Sequence, residues 1–209
     1  MIYDIDNNNN KYQTKHLFVF SAMFVRWSLL IFSLLSLFDP SVEQVILPFL
    51  NGHRSSCKYH LQGNVNLIIS APHGGNITLG DIPDRTTGGC RRQTGANAGS
   101  CTWFYDDSCE DGEMCTPTTV KDTLSDEFAE NVAKELMRTW SLTPYVVIGT
   151  WSRKKVDFNR EINEATFNHP EAVLGYRSYH ANIQQAVNDI QRKYQTGLLI
   201  DIHGHSAGE

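Results

Sequence analysis

The hydrophobic and polar positions divide the chain into one long apolar run near the N-terminus and a later alternation of short strands and amphipathic helices. Three short apolar stretches predict buried strands, at 66–70, 144–149 and 198–203. Apolar residues four apart over 123–140, with Thr123 and Asp126 in capping-box spacing, predict a helix. A longer amphipathic helix is expected from Pro170 onward, and a short one over 157–166. The order β-α-β-α-α-β predicts a three-layer α/β fold.

The long apolar run covers residues 17–38 and is interrupted only by Arg26 and four serines. The part after Arg26 has the length of a signal-peptide hydrophobic region, and the whole run is long enough to cross a bilayer if Arg26 reaches the interface. We therefore expect a cleaved signal peptide or an uncleaved signal anchor, and membrane contact only through this segment. Either alternative sends residues 39–209 out of the cytoplasm, as a secreted protein or on the extracytoplasmic face of a membrane.

Cysteine usage agrees with that location, because four of the five cysteines lie between positions 90 and 115. Two local disulfides among Cys90, Cys101, Cys109 and Cys115 are expected, with the pairing open. The spacing contains no CxxC pair, so a structural zinc site is not expected there. Cys57 pairs with a partner outside this chain, stays free and buried, or competes with one of the four.

The chain is expected to divide into four segments: a leader over 1–38, a linker over 39–63, an α/β domain over 64–209, and a cysteine-rich insertion over 86–119 within that domain. Asn76-Ile77-Thr78 is a glycosylation sequon, which predicts a glycoprotein with this loop at the surface. The chain stops six residues after His203, so the domain is expected to be incomplete at its C-terminus.

The amino-acid composition and net charge of the chain exclude some classes of function. The 209-residue chain is 41% apolar and 20% charged, as in globular proteins. It carries 18 Lys and Arg against 23 Asp and Glu, for a net charge of −5. No overall basic field is available to hold a phosphate backbone, and nucleic acid is not an expected partner.

Candidate chemistry lies at the ends of two predicted strands, where ligands usually bind in open α/β sheets. The first strand leads into His73, followed by two glycines, and the last leads into His203, followed by Gly204. Two strand-end histidines joined by a carboxylate at a helix start would form a His-carboxylate-His site with an open fourth position, the arrangement of catalytic zinc.

Six sequence blocks make residues 64–209 resemble the N-formylglutamate amidohydrolase family, in particular its uncharacterised secreted eukaryotic members. The blocks are IISAPHGG at 68–75, IPDRT at 82–86, DTLSDEFAENVAKEL at 122–136, SRKKVDFNREINEA at 152–165, YH at 179–180 and LLIDIHGH at 198–205. The resemblance implies a mixed-sheet, phosphorylase/hydrolase-like fold and a mononuclear zinc amidohydrolase. Its expected substrate is a small acidic or peptide-like molecule, such as an N-acyl amino acid or a γ-glutamyl compound.

The resemblance also implies roles for individual residues. His73 and His203 would be the first and third Zn²⁺ ligands, with Asp122 as the second. Three other acids, Asp84, Asp126 and Glu127, stay open as alternatives for that position. Asp201, one side-chain period before His203 on the strand, could support a ligand through a hydrogen bond.

Substrate binding is expected from the block that begins at Ser152. Arg160 is the first choice for holding a substrate carboxylate and Arg153 the second, because a guanidinium offers a bidentate grip that lysine cannot copy. Asn159, beside Arg160, and His205 are further substrate-binding candidates. Lys154 and Lys155 are interpreted as a surface pair, and His180 as a histidine on the apolar stripe of its helix, either in the core or near the site.

Two other function classes remain open. Gly204-His-Ser-Ala-Gly208 fits the nucleophile motif of serine hydrolases, with Ser206 as nucleophile, although only Glu209 follows it to supply a partner. A catalytically inactive, secreted binding ectodomain is the other alternative, since a fold does not guarantee activity. In the amidohydrolase interpretation, Glu209 is the candidate general base.

Overall fold

The structure, a computed structural model, describes residues 2–5, 13–15, 45–86, 88–93, 98–105, 109–110 and 112–204. In chain order the elements are β1 (Ile2–Ile5), β2 (Gln13–Lys15), β3 (Leu50–Asn51), β4 (Cys57–His60), β5 (Leu67–Ala71), β6 (Gly89–Arg92), β7 (Cys101–Trp103), β8 (Gly112–Cys115), α1 (Ser125–Trp140), β9 (Tyr145–Gly149), α2 (Ile162–Thr166), α3 (Pro170–Tyr194) and β10 (Gly197–Asp201). The leader residues 17–38 lie outside the described residues.

The main sheet is mixed and has the strand order β2-β1-β10-β5-β9-β4-β3. Its centre, β10-β5-β9, is parallel, and the flanking pairs are antiparallel. The three predicted strands are confirmed as β5, β9 and β10, with ends shifted by no more than two residues. Strands β1 and β2 precede the apolar run and add an edge beside β10. This is inconsistent with the expected leader over 1–38, because cleavage would remove both strands and an anchor would hold them across the membrane from β10.

Successive residues of the central strands face opposite layers. Ile68 and Val147 pack in the core under α3, whereas Ile69 and Val146 pack in the core under α1. This two-residue alternation is what a strand covered on both faces requires. The α/β class with a mixed sheet is therefore confirmed, and α1 and α3 cover opposite faces of that sheet.

Helix α1 begins two residues later than predicted and buries only part of the predicted apolar stripe. Leu124, in the left-handed region at φ 62°, replaces the expected cap, and Thr123 lies outside the helix. Ala129 and Ala133 face the sheet, while Phe128 is 60% exposed. Val132 and Leu136 pack against the same core, so the predicted four-residue spacing marks part of the buried side and the alanines mark its centre.

The predicted helix over 157–166 is shortened to α2, which begins at Ile162. Asp157 accepts a hydrogen bond from the backbone N–H of Asn159 at 3.0 Å, a local turn that competes with helix formation. Glu161 then caps α2 by accepting from Asn163 N at 3.0 Å. The longer predicted helix is confirmed as α3, with Pro170 in its first turn.

The assignment of residues 39–63 to a linker is wrong for the described part, because β3 and β4 belong to the main sheet. β4 pairs antiparallel with β9, and Cys57, its first residue, is fully buried. Leu47, ahead of β3, packs against the α1 side of the sheet. The strands are too short to display an apolar alternation, and their burial comes from pairing with β9.

The insertion forms its own antiparallel sheet, in the order β7-β6-β8. Two disulfides hold it, Cys90–Cys109 and Cys101–Cys115, so the expected disulfides are confirmed and their pairing is defined. Cys57 is free and buried, one of its three predicted states.

Asn76 is exposed, as the sequon predicts. Within the described residues, no helix combines the length and apolar character needed to cross a bilayer.

Candidate metal centre

His73 lies just beyond the carboxyl end of β5, is 2% exposed, and is followed by two glycines. A Cβ on Gly74 would lie 2.5 Å from the backbone nitrogen of Asp126, and one on Gly75 would lie 2.3 Å from the carbonyl oxygen of Thr150. These positions therefore need glycine so that the start of α1 and the chain after β9 can approach His73.

His203 reaches the same edge from the neighbouring parallel strand. Asp201 pairs in register with Ser70, and Ile202 continues the ladder by donating its N–H to the Ser70 carbonyl at 2.7 Å. His203 therefore stands beside His73, with ring centroids 5.0 Å apart. Parallel pairing of β5 and β10 is the physical reason that histidines 130 positions apart converge.

Asp122 comes from the turn before α1. Its backbone N–H donates to the His73 carbonyl at 3.1 Å, and its own carbonyl accepts from the N–H and the hydroxyl of Ser125. Its Oδ2 atom lies 3.3 Å from His73 Nδ1, 3.1 Å from His203 Nδ1 and 3.1 Å from the Gly204 N–H. His73, Asp122 and His203 thus form a cluster whose ligand atoms lie within 4.8 Å of one another.

The three alternative acids lie apart from this cluster. Asp84 is 41% exposed and pairs with Lys155 Nζ at 2.8 Å. Asp126 and Glu127 are in the first turn of α1 and contribute no atom to the ligand group.

Lys155 itself is buried, and its ammonium also donates to the Ile82 carbonyl, so its interpretation as a surface residue is wrong.

Each histidine presents Nδ1 to the cluster and turns Nε2 toward a buried carboxylate. His73 Nε2 lies 2.7 Å from Asp157 Oδ1, and His203 Nε2 lies 2.8 Å from Asp201 Oδ2. Ser70 donates its hydroxyl to the other oxygen of Asp201 at 2.5 Å. Since an ionised carboxylate only accepts, both Nε2 atoms carry hydrogen and both Nδ1 lone pairs can point to a shared ligand.

Two arginines neutralise the fully buried Asp157. Arg153 donates through Nε to Asp157 Oδ2 at 2.8 Å, and an Arg85 terminal nitrogen lies 3.7 Å from the same oxygen. Burial alone raises the pKa of Asp157, but hydrogen bonding to His73 and the charge of Arg153 outweigh it and hold the pKa well below its usual range. Asp157 therefore stays ionised behind His73.

Charge coupling extends through the cluster. Burial raises the pKa of Asp122. The Gly204 N–H and the two imidazoles lower this pKa by more than burial raises it, so the pKa lies below its usual value. Burial lowers the pKa of His203, whereas hydrogen bonds to Asp201 and Asp122 raise it above its usual value. Without a cation, the site therefore favours a proton on His203, and a metal ion would compete with that proton.

The residues expected to bind substrate occupy different surroundings. Arg160 is exposed, and its Nε lies 3.4 Å from Glu164. Asn159 Nδ2 lies 3.3 Å from His203 Nε2, at the edge of the cluster. Arg153 is buried, donates to Asp157 and to the Val120 carbonyl, and approaches Asp122 at 3.5 Å, so its guanidinium organises the cluster from within.

His205, Ser206 and Glu209 lie outside the described residues. Among those that the structure describes, sequence reasoning missed Asp157 and Ser70. Asp157 had one sequence signal, a lone acid between the apolar residues Val156 and Phe158 in the middle block. Its partner His73 is 84 positions away, so the pairing itself has no local signature.

Comparisons with protein-family models, curated proteins and solved structures gave no match for this chain. The resemblance to N-formylglutamate amidohydrolases therefore depends on the six sequence blocks alone, and the family stays a prediction. The assignment of a function depends on the geometry of the cluster.

Proposed function

We propose that this protein is a zinc-dependent amidohydrolase that cleaves an amide bond in a small carboxylate-bearing substrate. The observation that carries the proposal is the convergence of His73 Nδ1, His203 Nδ1 and Asp122 Oδ2, with each histidine held from behind by a buried carboxylate. Two imidazoles and one carboxylate with room for a fourth ligand are the donor set of catalytic zinc.

The spacing of the donors supports the proposal. Ligand atoms about 2.0 to 2.1 Å from a tetrahedral ion lie roughly 3.3 to 3.4 Å apart. The two nitrogen to oxygen distances at Asp122 Oδ2 are 3.3 Å and 3.1 Å. Both distances are within a few tenths of an ångström of that separation, and all three ligand atoms lie within 4.8 Å of one another.

A purely hydrogen-bonded network explains the cluster less well. Asp122 Oδ2 has three nitrogens within 3.3 Å, those of His73, His203 and Gly204. A carboxylate oxygen offers about two lone-pair directions, so three simultaneous donors are too many. If a cation replaces the two imidazole protons, Nδ1 of each histidine and Oδ2 become ligands and the crowding is removed.

Bound zinc would supply Lewis acidity to an amide carbonyl and to the attacking water. The chain's own residues would supply orientation. The exposed Arg160–Glu164 pair contributes little stability, so Arg160 can exchange Glu164 for a substrate carboxylate at small cost. A carboxylate fixed at Arg160 would determine which amide bond lies over the metal.

Metal analysis of the full chain tests the centre. We expect about one zinc per chain, and loss of it in His73→Ala, Asp122→Ala and His203→Ala. Asp84→Ala is the matched control, since this acid pairs only with Lys155 in the described contacts and should keep the zinc. Equal zinc content in all four variants would contradict the assignment of His73, Asp122 and His203 as zinc ligands.

Hydrolysis of N-acyl amino acids, compared with the corresponding neutral amides, tests the reaction. We expect zinc-dependent release of the amine from the carboxylate-bearing substrate and no release from the neutral amide. Stoichiometric zinc without hydrolysis of either class would favour the alternative of an inactive binding ectodomain.

The two disulfides indicate an oxidising, extracytoplasmic environment. We propose that the protein folds in that environment. Detection of residues 39–209 in the medium or on the outer face of the membrane in expressing cells is the expected result, whereas an entirely cytoplasmic protein would contradict it.

A further inference from the structure

Asn76 lies close to the candidate metal centre. The segment that follows His73 runs beside the turn that carries Asp122, because the Asp122 backbone N–H donates to the His73 carbonyl at 3.1 Å. Three residues after His73, the Oδ1 atom of Asn76 accepts a hydrogen bond from Lys121 Nζ at 2.8 Å. Three residues span at most about 11 Å, so the Cα of Asn76 lies within that distance of the Cα of His73. The Asn76 amide therefore contacts the residue that directly precedes a candidate metal ligand.

The same asparagine begins Asn76-Ile77-Thr78, the one N-x-S/T sequon in the chain. All three residues are exposed. Ile77 forms a parallel bridge with Trp151, which anchors the middle of the sequon to the fold. The two residues that define the sequon are thus held at a fixed place on the surface.

The contact with Lys121 is compatible with a substituent on Asn76. It uses the amide oxygen, so a bond formed at Nδ2 leaves it intact. Three large apolar side chains adjoin these residues in the chain and are exposed: Ile77, Val120 and Leu124. A glycan is bulky and solubilising, and here it would cover apolar surface beside the metal centre.

We propose that Asn76 carries an N-linked oligosaccharide that shields the candidate metal centre from macromolecules. The donor is an oligosaccharide on a lipid diphosphate, in the compartment where the disulfides form. The bond between Asn76 Nδ2 and the anomeric carbon forms, and the anomeric C–O bond breaks. One Nδ2 proton is lost and the lipid diphosphate leaves.

The consequence for the active site is a limit on substrate size. A glycan at this position admits small amides and keeps proteins and large peptides away from the metal. In this respect the inference rests on the proposed function, whereas the modification itself needs neither zinc nor hydrolysis.

Mass spectrometry of the full chain, produced in the secretory pathway of eukaryotic cells, tests the modification. We expect an added mass on the peptide containing Asn76, removed by a peptide N-glycosidase that leaves aspartate in its place. Thr78→Ala should abolish the added mass, and Thr78→Ser, which keeps the sequon hydroxyl, should retain it. Thr78 is exposed, so both variants should fold. Unmodified Asn76 in the wild-type protein would overturn the proposal.

Acylation of Lys121 by an amine-reactive ester, free or attached to soluble dextran, tests the shielding in metal-free protein. Lys193 is the matched control, because its ammonium lies 3.1 Å from the hydroxyl of Tyr145, the first residue of β9, and so at the opposite end of the sheet. We expect Thr78→Ala to speed the reaction of Lys121 with the dextran-bound ester severalfold. Its reaction with the free ester, and both reactions of Lys193, should not change. Equal dextran-ester rates at Lys121 in the wild type and Thr78→Ala would overturn the shielding.

Both measurements are made without metal or substrate, which separates this inference from the proposed function. A glycan that shields Lys121 upholds the inference about the surface even where zinc or amide hydrolysis is absent. If zinc and hydrolysis are found and Asn76 is unmodified, the glycan proposal fails and the amidohydrolase proposal remains.

Discussion

Replacing Asp157 with asparagine should separate the metal affinity of the cluster from its folding. In the native site, Asp157 accepts from His73 Nε2 at 2.7 Å and from Arg153 Nε at 2.8 Å. Asparagine keeps one acceptor oxygen, and we expect that oxygen to accept the hydrogen bond from the charged Arg153. The amide NH₂ then faces His73 Nε2 and donates to it, which moves the imidazole proton to Nδ1 and blocks the metal-facing lone pair.

The expected loss is roughly 10- to 100-fold in zinc affinity, or about 1.4 to 2.7 kcal/mol, the range for groups that orient a ligand histidine. Stability should fall by about 3 kcal/mol, because Arg153 and Arg85 lose a buried counter-charge. Zinc affinity is measured by competition with a chromophoric chelator, and stability by urea denaturation of the metal-free protein.

Asp84→Asn is the control, because this carboxylate pairs with Lys155 and is 41% exposed. It should leave zinc affinity unchanged and cost less stability than Asp157→Asn, because the Asp84 carboxylate is partly solvated and Lys155 keeps its hydrogen bond to the Ile82 carbonyl. A folded Asp157→Asn protein with wild-type zinc affinity would refute the argument that Asp157 sets the tautomer of His73. Loss of affinity that only tracks the loss of folded protein would refute it as well.

Three further outcomes are expected. Arg160→Lys should lower kcat/KM about 10-fold or more for carboxylate-bearing amides and leave neutral amides unaffected, because a point charge lacks the bidentate grip; equal losses would make Arg160 structural. Converting both Cys101 and Cys115 to alanine should destabilise the insertion by about 3 kcal/mol, measured by thermal unfolding, since that disulfide closes a loop over a sequence separation of 14. Hydrogen bonds from Lys193 and Tyr145 lower the pKa of Asp189 to about 2, so it favours folding above pH 3.8 and loses that contribution as the pH falls toward 2. The stability difference of roughly 1 kcal/mol between wild type and Asp189→Asn should therefore disappear in acid; a constant difference would contradict the assignment.

The parts of the fold predicted from sequence are those with a strong local pattern. β5, β9 and β10 are continuous apolar runs, and α3 repeats apolar residues through 25 positions, so local patterning located them. β4 has the sequence CKYH, and only its pairing with β9 makes it a strand. No period can be read from four residues whose burial is set by a strand that begins at Tyr145, far along the chain.

The candidate site divides in the same way. The strand-end positions of His73 and His203 follow from the rule that parallel strands deliver their carboxyl ends to one edge. Asp157 and Lys155 could not be placed, because each is buried by contacts with distant segments: Asp157 with His73 and Lys155 with Ile82. Their charge suggests a surface position, and only the tertiary partners make burial possible.

The rate at which the free thiol of Cys57 reacts with a reagent measures how often the structure around it opens. Cys57 is fully buried, and a Cβ on Gly52 would lie 2.5 Å from its sulfur, so the turn at 52–56 closes directly over it. Burial raises the pKa of this thiol, so little thiolate is available for exchange with the four disulfide-bonded cysteines. A reagent can reach the sulfur only when the structure around it opens locally. At high reagent concentration its modification rate becomes the opening rate, and at low concentration it reports the open population.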